Sequence, residues 1–110
     1  MVTSDVMRGF NSLIILSILM KGDNYGYQIS SMIKEKTDGE YVMKETTLYS
    51  AFNRLEKQSL IQSYSKSETK GKPRTYYKIT PFGIEEYFEK LVEWEEVQTI
   101  IQGFVKEEKR

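Results

Sequence analysis

Residues 44–80 read KETTLYSAFNRLEKQSLIQSYSKSETKGKPRTYYKIT, and the pattern of side chains changes once along this stretch. From residue 44 to 58, leucine and phenylalanine recur at steps of three and four, which is the spacing of an amphipathic helix. Tyrosine, threonine and isoleucine then mark two short segments, residues 60–65 and 75–80, as in half-buried strands. A polar segment with four cations, residues 66–74, separates the two. The stretch therefore predicts one helix followed by a basic β-hairpin.

Helical patterns flank this stretch on both sides. Before it, residues 4–20 and 25–36 carry apolar side chains at helical spacing. After it, Thr80 followed by Pro81 is a helix start, because a capping hydroxyl precedes a proline in the first turn. The helix that begins there is expected to continue to about residue 106.

The predicted order is three helices, a β-hairpin and a long helix, which is the order of a winged helix-turn-helix extended at its C-terminus. We therefore expect a mainly α fold of the α+β class. Residues 1–80 would form the winged helix-turn-helix DNA-binding domain, and residues 81–110 a dimerisation helix. Apolar side chains on that last helix form a seam for packing against another helix: Tyr87, Leu91, Trp94, Ile101 and Val105.

The composition excludes several kinds of chemistry. The chain has 110 residues and neither cysteine nor histidine, so zinc fingers, disulfide frameworks and histidine-dependent catalytic sites are ruled out. We expect no enzyme, no cofactor and no metal. The apolar run at residues 13–20 is far shorter than the roughly 20 residues that span a bilayer. A cytoplasmic protein without membrane contact is expected.

The net charge is zero, but the charges are unevenly distributed. Up to residue 80 there are 12 Lys and Arg against 8 Asp and Glu, whereas residues 81–110 hold 4 against 8. A basic front and an acidic last helix would orient the front toward a polyanion. We interpret the acidic run of the last helix as a solvated face.

The third predicted helix and the hairpin have the side chains that DNA binding requires. Recognition needs cations for phosphates and small polar groups for base edges. Base edges would be read mainly by Thr46, Thr47, Ser50 and Asn53. Phosphates would be held by Lys44, Tyr49, Arg54, Lys70, Lys72 and Arg74. The alternatives are a solvated helix face, or a winged-helix module that binds a protein partner and senses no ligand.

Three motifs in this order resemble the PadR family of transcriptional regulators. They are DNYGY at residues 23–27, TLYS at 47–50 running into RLEKQSLI at 54–61, and RTYYKIT at 74–80 followed by Gly83. The resemblance covers nearly the whole chain. It implies a homodimeric repressor on a palindromic operator of double-stranded DNA, with recognition helices in successive major grooves and wings over the flanking backbone.

The chain departs from the family pattern at a few positions. The family commonly has glycine where this chain has Thr46, proline at Ser50 and glycine at Ser59, and a capping residue is expected where Lys44 stands. Thr46 and Ser50 lie on the proposed reading face. The operator sequence therefore cannot be carried over from the family.

Trp94 on the last helix resembles the tryptophan of the short PadR subfamily, whose multidrug-binding members hold it in a pore between two subunits. An aromatic plate of this kind can stack flat and often cationic ligands. By position, the resemblance places five further residues beside Trp94 as a ligand-binding lining: Ser12, Leu13, Leu16, Val97 and Gln98. The alternative is that Trp94 only packs the dimer seam.

Overall fold

The computed structural model describes residues 2–67 and 71–105. Five helices and three strands follow one another in these ranges: α1 (Ser4–Met7), α2 (Asn11–Leu19), β1 (Asn24–Tyr25), α3 (Gly26–Lys36), α4 (Glu45–Lys57), β2 (Ile61–Ser67), β3 (Pro73–Ile79) and α5 (Pro81–Val105). The strands form an antiparallel sheet in the order β1-β3-β2. The predicted fold class is confirmed, since this is a winged helix-turn-helix with a long C-terminal helix.

The core lies where α2, α3 and α4 meet the inner face of the hairpin. Phe52 of α4 is fully buried and stacks on Tyr77 of β3, with ring centroids 4.0 Å apart. Burial raises the pKa of the Tyr77 hydroxyl above its ordinary value. The remaining core is aliphatic apart from Tyr41, so burial of apolar side chains from α2, α3, α4, the two hairpin strands and the connections between them holds the fold together.

The helix predicted over residues 4–20 is two helices. The chain leaves the helix after Met7 and re-enters it at Asn11, and the Phe10 amide bonds back three residues to the Met7 carbonyl. Gly9 lies in this break, and glycine is a weak helix former. Apolar spacing continues across the break because α1 and α2 both turn an apolar side toward the rest of the domain, so the pattern alone could not locate it.

Strand β1 was not predicted. The sequence favoured a helix from residue 25, whereas Asn24 and Tyr25 pair with Tyr77 and Tyr76 of β3, and α3 begins at Gly26. Two residues are too few for an alternating pattern. The strand forms because it pairs with the edge of β3, a contact between distant parts of the chain that local sequence does not indicate.

The hairpin is longer than predicted. Residues 61–67 and 73–79 are paired in register from Ile61 opposite Ile79 to Ser67 opposite Pro73. Thr80, expected in the strand, ends it and begins α5: its hydroxyl donates to the Ser59 carbonyl at 2.7 Å and accepts from the Gly83 amide at 3.0 Å. The predicted helix start is confirmed.

Helix α5 extends away from the core of the molecule. Its 25 residues span about 37 Å, and Gly83 is the one buried residue among them. The radius of gyration is 15.9 Å, against about 13 Å for a compact chain of this length. The predicted end near residue 106 lies outside the described residues. No helix within the described residues is long and apolar enough to cross a membrane.

Candidate nucleic-acid interface and apolar groove

Helix α4 separates a buried side from a polar exposed side. Leu48 and Leu55 lie in the core, whereas Thr46, Ser50 and Asn53 are exposed at helical spacing on the opposite side. Thr47 is half-buried at its edge. The structure therefore brings the four residues proposed as base readers together on one helix. Lys44 precedes them as the N-cap residue of the helix and makes no side-chain capping bond.

Tyr49 connects α4 to the start of α3. Its ring meets Phe52 edge-on at 5.4 Å, and its hydroxyl lies over Gly26, where a Cβ would come within 2.5 Å of that oxygen. The contact requires glycine at position 26, because any other residue would push the tyrosine away. The Tyr49 hydroxyl thus lies beside the first turn of α3.

Tyr27 is an exposed aromatic residue that the sequence analysis did not select. It stands in the first turn of α3 with 76% of its surface exposed. A groove of about 550 Å³ next to it is also lined by Tyr49 of α4 and Arg74 of β3. The signal was present in the Tyr-Gly-Tyr motif, where two aromatic residues flank the glycine. Periodicity alone assigned this region to an ordinary helix.

The cations of the hairpin lie over tyrosine rings on its outer face. The Arg74 guanidinium is 4.2 Å from the centroid of the Tyr25 ring, and the Lys66 ammonium is 4.9 Å from that of Tyr76. Such contacts restrict the conformations of long cationic side chains. Lys72 is exposed just before β3, and Lys70 lies outside the described residues.

Tyr64 fastens the hairpin to the rest of the domain. Its hydroxyl donates to the Asp23 carboxylate at 2.7 Å, and this bond joins β2 to the turn before β1. The hydrogen bond to Asp23 is the main cause that raises the pKa of Tyr64 to about 12. The Tyr64 hydroxyl therefore keeps the proton that it donates to Asp23 at neutral pH.

Arg54 is exposed at the edge of the polar face of α4 and bonds across to α2. One guanidinium nitrogen donates to the Ser12 hydroxyl of α2 at 3.1 Å. Its predicted contact with a phosphate remains a prediction. Ser12, predicted as a ligand-lining residue, is engaged in this bond with α4.

An apolar groove of about 610 Å³ lies between α1, α2 and α5. It is lined by Leu13, Trp94, Val97 and Gln98, which the sequence analysis named, and by several residues that it did not. The additional lining residues include Phe10, whose ring meets Trp94 edge-on at 5.1 Å. Leu16 does not belong to this lining. It is 0% exposed and lies in the core, because its side of α2 faces α4 and the sheet.

Much of the apolar surface of α5 is uncovered in the single chain. Ile84, Phe88 and Val92 are exposed at four-residue steps along its first half. The exposure continues toward the end of α5, where Phe104 is 81% exposed. Apolar patches of this extent on a small protein mark an interaction surface. The described residues hold no group of three acidic, cysteine or histidine side chains that could bind a metal ion.

The fold and the exposed polar side of α4 define a winged helix-turn-helix protein of the DNA-binding class. The sequence model of the "Transcriptional regulator PadR-like family" matches residues 15–89. The chain belongs to this family. Since the family consists of transcriptional regulators, the expectation that the chain is not an enzyme is confirmed.

The chain is also similar to solved structures of transcriptional regulators and to one sequence relative. A transcriptional regulator from Clostridium thermocellum is 58% identical with a TM-score of 0.86, covering 93% of this chain and 99% of that one. A PadR family regulator from Clostridium difficile R20291 is 34% identical with a TM-score of 0.75, covering 86% and 96%. An uncharacterized protein from Lysinibacillus sphaericus is 42% identical over 96% of each chain.

Proposed function

We propose that this chain is a homodimeric repressor that binds a palindromic operator. The observation that carries the proposal is the groove shared by Tyr49 of α4, Arg74 of the wing and Tyr27 of α3. A recognition helix, a cationic hairpin and a tyrosine hydroxyl line one concave surface, as DNA backbone contact requires. Thr46, Thr47, Ser50 and Asn53 would read bases, and Lys44, Tyr49, Lys70, Lys72 and Arg74 would hold phosphates.

The dimer is supported by the uncovered face of α5. Two copies that join through this helix bury apolar side chains that the single chain leaves in water. A two-fold axis then presents two α4 helices to one side of a duplex. Half-sites about one helical turn apart follow from that symmetry.

The role of the wing is tested by the salt dependence of binding to the duplex upstream of the protein's own coding sequence. Lys72→Ala or Arg74→Ala removes one phosphate contact per protomer, so the slope of log affinity against log salt should fall by about 2 per dimer. Lys90→Ala, on α5 and paired there with Glu86, is the matched control and should leave the slope unchanged.

An unchanged slope in both wing variants would exclude phosphate contact by the wing. A wild-type protein that leaves the duplex unshifted in dilute buffer would contradict the repressor altogether. The exposed α5 face would then serve a protein partner.

We further propose that small, flat, apolar or cationic aromatic molecules bind in the Trp94 groove of the dimer and change the spacing of the two α4 helices. The groove supports this because its walls are apolar and Trp94 is held in place by Phe10. Such a ligand regulates DNA binding only if it and DNA prefer different dimer geometries.

Ligand binding is followed through the emission of Trp94, which is the only tryptophan. A planar acridinium dye at micromolar concentration should quench it, whereas tetraethylammonium, a cation without a ring, should not. Absence of quenching by the dye would leave packing of the dimer as the role of Trp94.

A further inference from the structure

The hydrogen bond between Arg54 and Ser12 joins the recognition helix to α2. The two residues are 42 positions apart, and the guanidinium nitrogen lies 3.1 Å from the serine oxygen. The Arg54 side chain is exposed beside Ser50 and Asn53, so it has room to extend toward DNA. It is directed instead to the first turn of the neighbouring helix.

That first turn of α2 contacts three other parts of the molecule. Phe10, directly before it, meets Trp94 of α5. The Asn11 side-chain oxygen accepts from the hydroxyl of Tyr41 at 2.7 Å. Tyr41 is buried and belongs to the connection between α3 and α4. Leu13 lines the apolar groove. Because helical backbone is stiff, movement of Phe10 or Leu13 displaces Ser12 between them.

We propose that Arg54 is a positioning residue that couples the recognition helix to the Trp94 groove through Ser12. The guanidinium sets the position of α4 relative to α2 instead of neutralising a phosphate. Any change in the groove that shifts the first turn of α2 is then transmitted to the face that reads DNA. The proposal rests on DNA binding by α4 as proposed above, and it requires no particular ligand.

The test removes the acceptor and leaves every charge in place. Ser12→Ala should weaken binding of the dimer to the same upstream duplex about 25-fold, since one net hydrogen bond worth about a factor of five is lost in each protomer. The slope of log affinity against log salt should stay that of the wild type, because no phosphate contact is lost. Arg54→Gln should weaken binding to a similar degree without lowering the slope, and Ser12→Thr, which keeps the hydroxyl, should restore affinity.

A second readout separates coupling from a merely structural effect. Binding of the duplex should change the emission of Trp94 in the wild type and in Ser12→Thr, and the change should be lost in Ser12→Ala and Arg54→Gln. Ser17→Ala is the matched control on the same helix, since its hydroxyl donates only to the Ile14 carbonyl of its own turn. It should behave as the wild type in both measurements.

The proposal is overturned if Ser12→Ala binds as tightly as the wild type, or if Arg54→Gln lowers the salt slope by about 2 per dimer. The lowered slope would make Arg54 a phosphate contact, and the unchanged affinity of Ser12→Ala would show that the bond to Ser12 has no part in DNA binding. An emission of Trp94 that does not respond to the duplex in the wild type would also overturn it. If the wild type fails to bind the duplex at all, the proposed function fails first, which distinguishes the two outcomes.

Discussion

At Gly83 the backbone of α5 approaches the end of the α4–β2 connection so closely that no side chain fits. A Cβ there would overlap the Leu60 carbonyl oxygen and come within 2.7 Å of Ile79 Cγ1. The same turn holds the hydroxyl of Thr80, which bonds both segments. Gly83 therefore sets the direction in which α5 leaves the domain.

We expect Gly83→Ala to lower the free energy of unfolding by about 2 kcal/mol, because the Leu60 backbone must move to admit the methyl group. Urea denaturation at one fixed protein concentration would measure it as a lower midpoint. Gly103→Ala on the same helix is the control. Nothing lies within 4 Å of a Cβ added at Gly103. The free energy of unfolding of this variant should therefore rise by about 1 kcal/mol, because alanine has the higher helix propensity. Equal midpoints for the two variants would contradict the close approach.

The sequence predicted well which residue types the site contains, but less well in which direction each side chain points. Thr46, Ser50 and Asn53 could be placed on one face from helical spacing alone, and the structure places them there. Leu16 could not be separated from Leu13 by pattern. They lie three residues apart on α2, and the position of α5 decides which of them reaches the groove. The direction of Arg54 depends equally on a neighbouring helix.

Among the elements, those whose boundaries are set locally were predicted well. Helix α4 was predicted over residues 44–58 and spans Glu45–Lys57, because its apolar stripe and polar flanks are both in the sequence. Strand β1 was missed because its partner is about 50 residues away. The length of the hairpin was underestimated, since exposed serines and lysines are paired there by register rather than by burial.

The exposed apolar face of helix α5 is expected to mediate dimerisation, which can be measured. We expect Phe104→Asp to weaken dimerisation about a thousandfold, since two apolar rings, worth about 4 kcal/mol together, would be replaced by charge. Phe104 is exposed in the single chain, so the domain itself should keep its fold. Glu89→Gln, which changes one exposed charge on the same helix, should leave the dimer intact. Sedimentation velocity over a range of concentrations distinguishes the two.

On the scale of the whole molecule, charge and apolar surface are segregated. The α4 and hairpin end carries an excess of cations, whereas α5 carries an excess of acidic residues and the uncovered apolar face. Pairing through α5 would place two cationic ends on the same side of the dimer and keep the acidic surface away from DNA. Binding to a palindrome requires both the cationic end, which contacts DNA, and the apolar face of α5, which pairs two copies.

Sedimentation equilibrium of the wild-type protein, alone and with the upstream duplex, tests most directly whether two chains bind one duplex as a dimer. The account predicts a free species of twice the chain mass of 12.9 kDa, and a complex with two chains on one duplex. A species of 12.9 kDa at micromolar concentration that binds the duplex one chain at a time would contradict it.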